Sequence, residues 1–293
     1  LEQAEYYIKQ GIWPIAGNVE QIGQQVYIGS YNSSVSGSQD SYSFVVPSGV
    51  TSISAVCIGS GASGSRNDTA AQSGRAGDLR WSSNIAVTPG ETLTILVAQG
   101  TAVPSSQLSG NSSEIKRGST VLLSATGGGS INTTNGTASS TIGGYIGGGN
   151  GGNGGTQSST YAGGGGGTGG YNGDGGTGIN SAGSGTPATA GGGGAGGGER
   201  STAQAQSGGG VNVMGIGTTG GTAEGGSYGS YGDSVTNGIS GIYGAGGGGN
   251  DSASGTATPG RIGAVRIIWG GGRTFPSNAA DYLPMSANSF TQI

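Results

Sequence analysis

The chain has no histidine, so it lacks the commonest general base and the usual partner of a serine or cysteine nucleophile. Its carboxylates are the remaining candidates for acid–base chemistry. Asp78, Glu91 and Glu114 stand near the ends of expected strands, and Asp174, Glu199, Glu224, Asp233 and Asp251 lie in glycine-rich sequence. Two carboxylates flanking a glycosidic bond can hydrolyse it, but no two of these share a recognisable motif, and they read as solvated loop acids. Cys57 is the only cysteine, which excludes an intrachain disulfide and a cysteine-built zinc site. Within the apolar run 53–58 it is expected to be a small buried hydrophobe. Gly215, Gly217 and Gly220 satisfy GxGxxG, yet glycine is so dense here that chance supplies such matches, and no strand-to-helix context follows. The order at residues 170–174, Gly-Tyr-Asn-Gly-Asp, departs from the GGxGxD of calcium-binding nonapeptides. The expectation is no enzyme activity, no cofactor and no metal.

Tyrosine is the stronger signal. Tyr145, Tyr161, Tyr171, Tyr228, Tyr231 and Tyr243 are large side chains in a region otherwise nearly bare of them. Tyrosine offers a rigid, amphipathic contact surface at low entropy cost, and Tyr, Ser, Gly and Asn together are the vocabulary of antibody binding loops. Tyr161, Tyr228, Tyr231 and Tyr243 are expected to be loop contacts. For Tyr145 and Tyr171, beside the most regular sequence, covering a packed face is an equal alternative.

The elements that must hold these residues are unusual. Residues 127–260 contain 53 of the 72 glycines, and part of that glycine is in register: 148–156 reads GGN-GGN-GGT and 166–177 reads GGT-GGY-NGD-GGT. Three residues per turn is the period of the polyproline II helix, which glycine can adopt without proline. With two of three positions bare, such helices can pack backbone to backbone, while the third position points its Asn, Thr or Tyr outward. Collagen is excluded because the register breaks and the chain has only 8 prolines. A disordered linker is the usual meaning of such composition, but strand-like sequence flanks this region on both sides. Ordering glycine carries a heavy entropy cost, so an ordered bundle needs extensive hydrogen bonding between its helices.

Around the glycine the pattern is β. Strands are expected at 25–31, 43–46, 51–58, 78–87, 91–98, 113–116, 120–125 and 263–269, with turns at Pro47-Ser48-Gly49 and Thr88-Pro89-Gly90. The expected fold is an all-β frame, an antiparallel sandwich or partial barrel, with an inserted bundle of polyglycine II helices and little or no α-helix. The expected organisation has an N-terminal docking arm over 1–36, in which 1–10 form a helical turn with Tyr6, Tyr7 and Ile8 on an apolar side before a break at Trp13-Pro14; a disordered leader is the alternative. A glycine-rich domain follows over 37–269, with its β frame at 41–126 and 262–269 and the bundle with loops at 127–261. Residues 270–293 form a C-terminal tail. The chain opens on Leu1, as a processed product, a fragment or an unrecorded start would, and no signal peptide is visible. Ten Lys and Arg against 14 Asp and Glu give a net charge of −4 without a basic cluster, so no nucleic-acid partner is expected. No apolar run approaches a membrane span, and no membrane insertion is expected.

The sequences FVVPSGVTSISAVCIGSGASG (from Phe44), VTPGETLTILVA (from Val87), VLLSATGGG (from Val121) and PGRIGAVRIIWGGGRTFPS (from Pro259) frame the glycine-rich tract. Together they resemble the glycine-rich domain of bacteriophage tail-fibre and related virion proteins. The alternation of glycine motifs with diverse segments is also similar to the distal adhesins of T-even-like long tail fibres, whose polyglycine II sandwich displays loops that recognise the bacterial surface. The resemblance covers roughly residues 41–277, and the chain departs from the adhesins in its β-rich 41–125 segment and its N-terminal arm. It implies a virion-associated, extracellular, non-enzymatic adhesin. Tyr161, Tyr228, Tyr231 and Tyr243 would then meet a bacterial surface protein or glycan, and Tyr6, Tyr7, Ile8 and Trp13 would dock other virion or fibre proteins. A homo-oligomer is compatible with this. The alternative is a structural role, as a capsid fibre or a self-assembling extracellular filament subunit.

Overall fold

A computed structural model describes residues 21–31, 38–65, 73–101, 107–129, 146–155, 163–178, 207–215, 243–249, 258–279 and 290–292. The arm residues Tyr6, Tyr7, Ile8 and Trp13, with the expected helical turn at 1–10, lie outside the described residues. Ten strands are present among the described residues: β1 (Gly23–Ile28), β2 (Gln39–Val45), β3 (Ser52–Ile58), β4 (Leu79–Ala86), β5 (Thr92–Ala98), β6 (Ser113–Arg117), β7 (Thr120–Ala125), β8 (Ile146–Gly149), β9 (Ala264–Trp269) and β10 (Phe290–Gln292). They form two antiparallel sheets, of order β10-β1-β9-β3-β4-β8 and β2-β5-β6-β7. No helix occurs among the described residues, and none is long and apolar enough to cross a membrane. The all-β frame is therefore as expected.

The Pro-containing turns link the sheets instead of closing hairpins. Pro47 to Val50 carries the chain from β2 in the smaller sheet to β3 in the larger, and Thr88 to Glu91 carries it back from β4 to β5. Gly49 and Gly90 take φ of +80° and +81°, which a Cβ would resist. Between the sheets lies the main core: Tyr27, Phe44, Ile53, Cys57, Ile85, Leu93, Ile95, Ile115, Leu123, Val265, Ile267 and Trp269 are all 2% exposed or less. Burial pushes the Cys57 thiol well above its ordinary pKa, so it stays protonated and packs as a hydrophobe.

β1 is sandwiched between β10 and β9, with Val26 and Tyr27 buried. Gly23–Ile28 thus belongs to the frame, not to a separate arm, because its apolar residues pair with β9 over six positions. Likewise β10 and the turn around Phe275 join the larger sheet's edge and face, so the expected tail is partly integrated.

The larger sheet is covered on both faces, and a bulge makes that possible. Ile53 pairs with Ile85 and Ala55 with Ser82, so Ser54 faces two residues of β4, Ser83 and Asn84. Asn84 holds φ at +61°, a conformation Asn tolerates better than most residues. The extra residue reverses the side-chain alternation. Ile85 and Val87 enter the main core, while Leu79 and Trp81 face the opposite side with Val56, Ile58, Ala264 and Ile268. There they form a second core with Tyr171, Val211, Val213, Tyr243 and Phe275 from the glycine-rich region and the C-terminal turn.

Beyond the strand ends the backbone hydrogen-bonds at intervals of three. Gly59 and Ala62 donate to Asp78 and Arg75, Ser60 and Ser63 to Asn111 and Leu108, and Gly61 and Gly64 to Arg261 and Thr258, all at 2.9–3.0 Å. Successive residues of one segment therefore address three neighbouring segments. In 163–170, Gly166 and Gly169 donate to Gly74 and Gly77, Gly167 to Gly176, and Thr168 to Gly209. Side-chain direction follows the same interval: a Cβ on Gly151 would meet the Ala76 carbonyl oxygen at 2.0 Å, one on Gly152 the Gly176 oxygen at 2.0 Å, and Asn150 and Asn153 are exposed. The lattice also draws on 59–65, 73–78 and 108–111, which precede the glycine-rich tract and were expected to be frame.

Two glycines are placed by tryptophan. Gly23 lies opposite Trp269 and Gly147 opposite Trp81, and a Cβ on either would come within 2.3 Å of the indole. Gly23→Ala is expected to force Trp269 out of a core where it is 1% exposed, costing about 1–3 kcal/mol. A thermal melt with near-ultraviolet circular dichroism checks this; an unchanged melt and tryptophan signal would contradict it.

Candidate functional site

The lattice stands on the sheet through a few polar contacts. Asp78, immediately before β4, is 1% exposed; its carboxylate accepts the Gly151 amide at 2.9 Å and pairs with Arg80 at 3.4 Å. Burial pushes the Asp78 carboxyl up, against the opposing pull of Arg80 and the Gly151 amide. Arg80 also donates to the Gly149 carbonyl and the Asn150 side chain, tying β8 to β4. These acids and bases hold segments together. Arg266 of β9 does the same: its buried guanidinium donates to the carbonyls of Val213 (3.1 Å) and Ala279 (2.6 Å) and to Gln24 Oε1 (2.9 Å), and it lies 5.8 Å from the Phe275 ring centre.

Tyr171, fully buried, is the centre of the second core. Trp81 Nε1 donates to its carbonyl at 2.8 Å, and its hydroxyl donates to the Asn212 carbonyl (3.2 Å) and accepts the Gly215 amide (3.0 Å). Its ring stacks on Phe275 at 6.0 Å. Of the two roles open to Tyr171, covering a packed face is the one observed.

Tyr243 requires a correction. Expected as a loop contact, it is 8% exposed and belongs to the second core. Its amide and carbonyl pair with those of Val211 at 3.2 Å, and Thr168 Oγ1 donates to its carbonyl at 2.8 Å. Burial pushes the Tyr243 phenol pKa up to about 12. The physical reason is placement: Tyr243 lies where the chain re-enters the lattice against the sheet, and the sheet's apolar face needs cover there. Tyr145, Tyr161, Tyr228 and Tyr231 lie outside the described residues.

What the structure does place is the ends from which those residues depart. Gly64, Gly248 and Thr258 meet through backbone bonds, and Ser207 Oγ donates to Thr258 Oγ1 at 2.9 Å. Ser73 Oγ donates to the Gly163 carbonyl, Gly249 donates to that carbonyl at 3.2 Å, and Gln107 Nε2 donates to the Ser73 carbonyl at 2.8 Å. Gly155 donates to Gly164, Gly178 to Asn153, and Thr101 to Gly260. Both ends of 66–72, 102–106, 156–162, 179–206 and 250–257 therefore gather at one end of the lattice, away from the sheet. Tyr161 falls in one of these five connections. Residues 216–242, with Tyr228 and Tyr231, depart instead from Gly215 and Tyr243, beside Tyr171 and Pro276 at the sheet end. The four expected contact tyrosines are thus not anchored as one cluster.

Sequence reasoning could have found the early lattice segments: Gly61 and Gly64, and Gly74 and Gly77, carry the three-residue spacing in miniature. No family model matches the chain, and no curated protein matches it.

Gly152→Val is expected to lower the melting temperature far more than Asn153→Val, since the first meets backbone at 2.0 Å and the second is exposed; equal melts would contradict the packing. Tyr243→Ala should destabilise by about 3 kcal/mol, and Tyr243→Phe by much less. Denaturant titration separates these, and a neutral Tyr243→Ala would return Tyr243 to the surface.

Proposed function

We propose that the chain is a virion-associated, extracellular, non-enzymatic phage adhesin, a tail-fibre module that binds a bacterial surface protein or glycan. In this reading the threefold segments are polyglycine II helices, and the receptor meets the end where the five connections gather. That convergence is the observation that carries the reading. A rigid scaffold with its connections gathered at one end is the arrangement by which variable loops become a binding surface. The five connections are dominated by Ser, Thr, Asn, Gln, Ala and Gly, polar and small groups that adapt their hydrogen bonds to a partner. The resemblance to phage tail-fibre glycine-rich domains supports the same assignment. Residues 1–20, with Tyr6, Tyr7, Ile8 and Trp13, attach the module to other virion or fibre proteins, and a homo-oligomer is compatible with that attachment.

The two ends of the lattice make different predictions. Tyr161→Ala is expected to weaken adsorption of the protein to host cells about tenfold or more, the usual effect of truncating an interface anchor, with an unchanged melt. Tyr228→Ala with Tyr231→Ala, at the sheet end, tests whether contact extends there. Unchanged adsorption in both would remove the tyrosines from the interface. A wild-type protein that adsorbs to no host but assembles into a continuous array would replace the adhesin reading with the structural one, a capsid fibre or filament.

A further inference from the structure

Among the described tyrosines, Tyr27, Tyr171 and Tyr243 are buried and Tyr42 is half-buried, whereas Tyr31 is 43% exposed. Its exposure is not slackness. Its ring packs against Gly100, where an added Cβ would stand 2.6 Å from Cδ1 and Cε1. The hydroxyl accepts from Arg261 Nη1 at 3.3 Å. The preceding residue is fixed as well: Asp40 accepts the Ser30 amide at 2.6 Å and the Ser30 hydroxyl at 3.1 Å, and is itself held by Gln99 Nε2 at 2.6 Å. Gly100 donates to the Ser30 carbonyl at 3.0 Å. Ring, hydroxyl and backbone are thus each restrained although the residue is exposed.

The location matters as much as the exposure. Gly100 precedes Thr101, from which 102–106 depart, and Thr101 bonds the Gly260 amide through Oγ1 at 2.9 Å, next to Arg261. Tyr31 therefore flanks the end where the five connections gather. We propose that Tyr31 and Arg261 form a saccharide-stacking subsite, with the C–H face of a pyranose on the Tyr31 ring and the Arg261 guanidinium donating to the sugar's hydroxyl or carboxylate oxygens. A restrained aromatic face loses little entropy on binding. A planar guanidinium beside it supplies directional donors. Neutral and uronic-acid sugars share the stacking face and differ in what Arg261 receives.

This subsite rests on the adhesin reading, and its test separates the two. The full-length protein is applied to an array of purified bacterial surface polysaccharides, neutral and acidic, and in parallel to whole cells. The variants are Tyr31→Phe, Tyr31→Leu and Arg261→Gln, each with a thermal melt. Tyr31→Leu keeps an apolar cover over Gly100 but removes the aromatic face, so a folding defect is separable from a lost stack. Expected are glycan binding by the wild type, retention in Tyr31→Phe, and a loss of about tenfold or more in Tyr31→Leu with an unchanged melt. Arg261→Gln should reduce binding to acidic glycans more than to neutral ones. Glycan binding that Tyr31→Leu leaves intact, or adsorption to cells without binding to any glycan, overturns the subsite and spares the adhesin. Binding to neither glycans nor cells overturns both.

Discussion

A backbone nearly free of side chains has only itself to pack, and every other feature of this molecule follows from how that backbone is satisfied. Buried amides and carbonyls must find partners. In 163–170, seven of eight residues are glycine and all are buried. Residues 163–170 form neither strand nor helix, and glycine disfavours the latter. Their partners come from surrounding segments at intervals of three. Close approach is the condition for those bonds, and close approach is what a Cβ would forbid, so the glycines are fixed by backbone contact and not by turn geometry.

A lattice of that kind has no hydrophobic core, and it is stabilised from outside. The larger sheet offers one face to the sandwich and the other to the lattice, and the bulge at Asn84 gives Trp81 and Ile85 opposite directions on one strand. Trp81, Tyr171, Tyr243 and Phe275 then join lattice to sheet, while Asp78 and Arg266 bind backbone groups across the same boundary. The large side chains of the glycine-rich region that are described lie at this boundary. At the far end the chain has Ser, Thr and Gly to bond its segments together, and there five of its connections depart.

Much of this was legible in the sequence, for physical reasons. Alternating apolar residues between Pro-Gly turns mark strands because a half-buried pleat requires them, and eight of the ten strands fall where that pattern placed them. β8 and β10 escaped it: β8 is mostly glycine, and β10 is three residues long. The GGN triplets announced their interval. What could not be read was parity and partnership. A bulge is one residue at an ordinary-looking Ser-Ser-Asn, and the short glycine spacing of Gly61 and Gly64 does not say which segments, mostly from sequence after Gly127, Gly59 to Ser65 will bond to. Tyr243 was misjudged for the same reason, since a tyrosine flanked by glycine looks like a loop contact until the sheet face it covers is known.

Amide hydrogen exchange of the intact protein tests the central claim, that glycine backbone is ordered by bonds to neighbouring segments, most directly. The amides of Gly152, Gly166, Gly167, Gly169 and Gly246 donate to five different carbonyls on other segments, and their exchange should be slowed to the level of Val56 and Val265 in the central strands. Exchange of those glycine amides at the rate of an unstructured chain, with the strand amides still protected, would leave the sandwich standing and contradict the lattice.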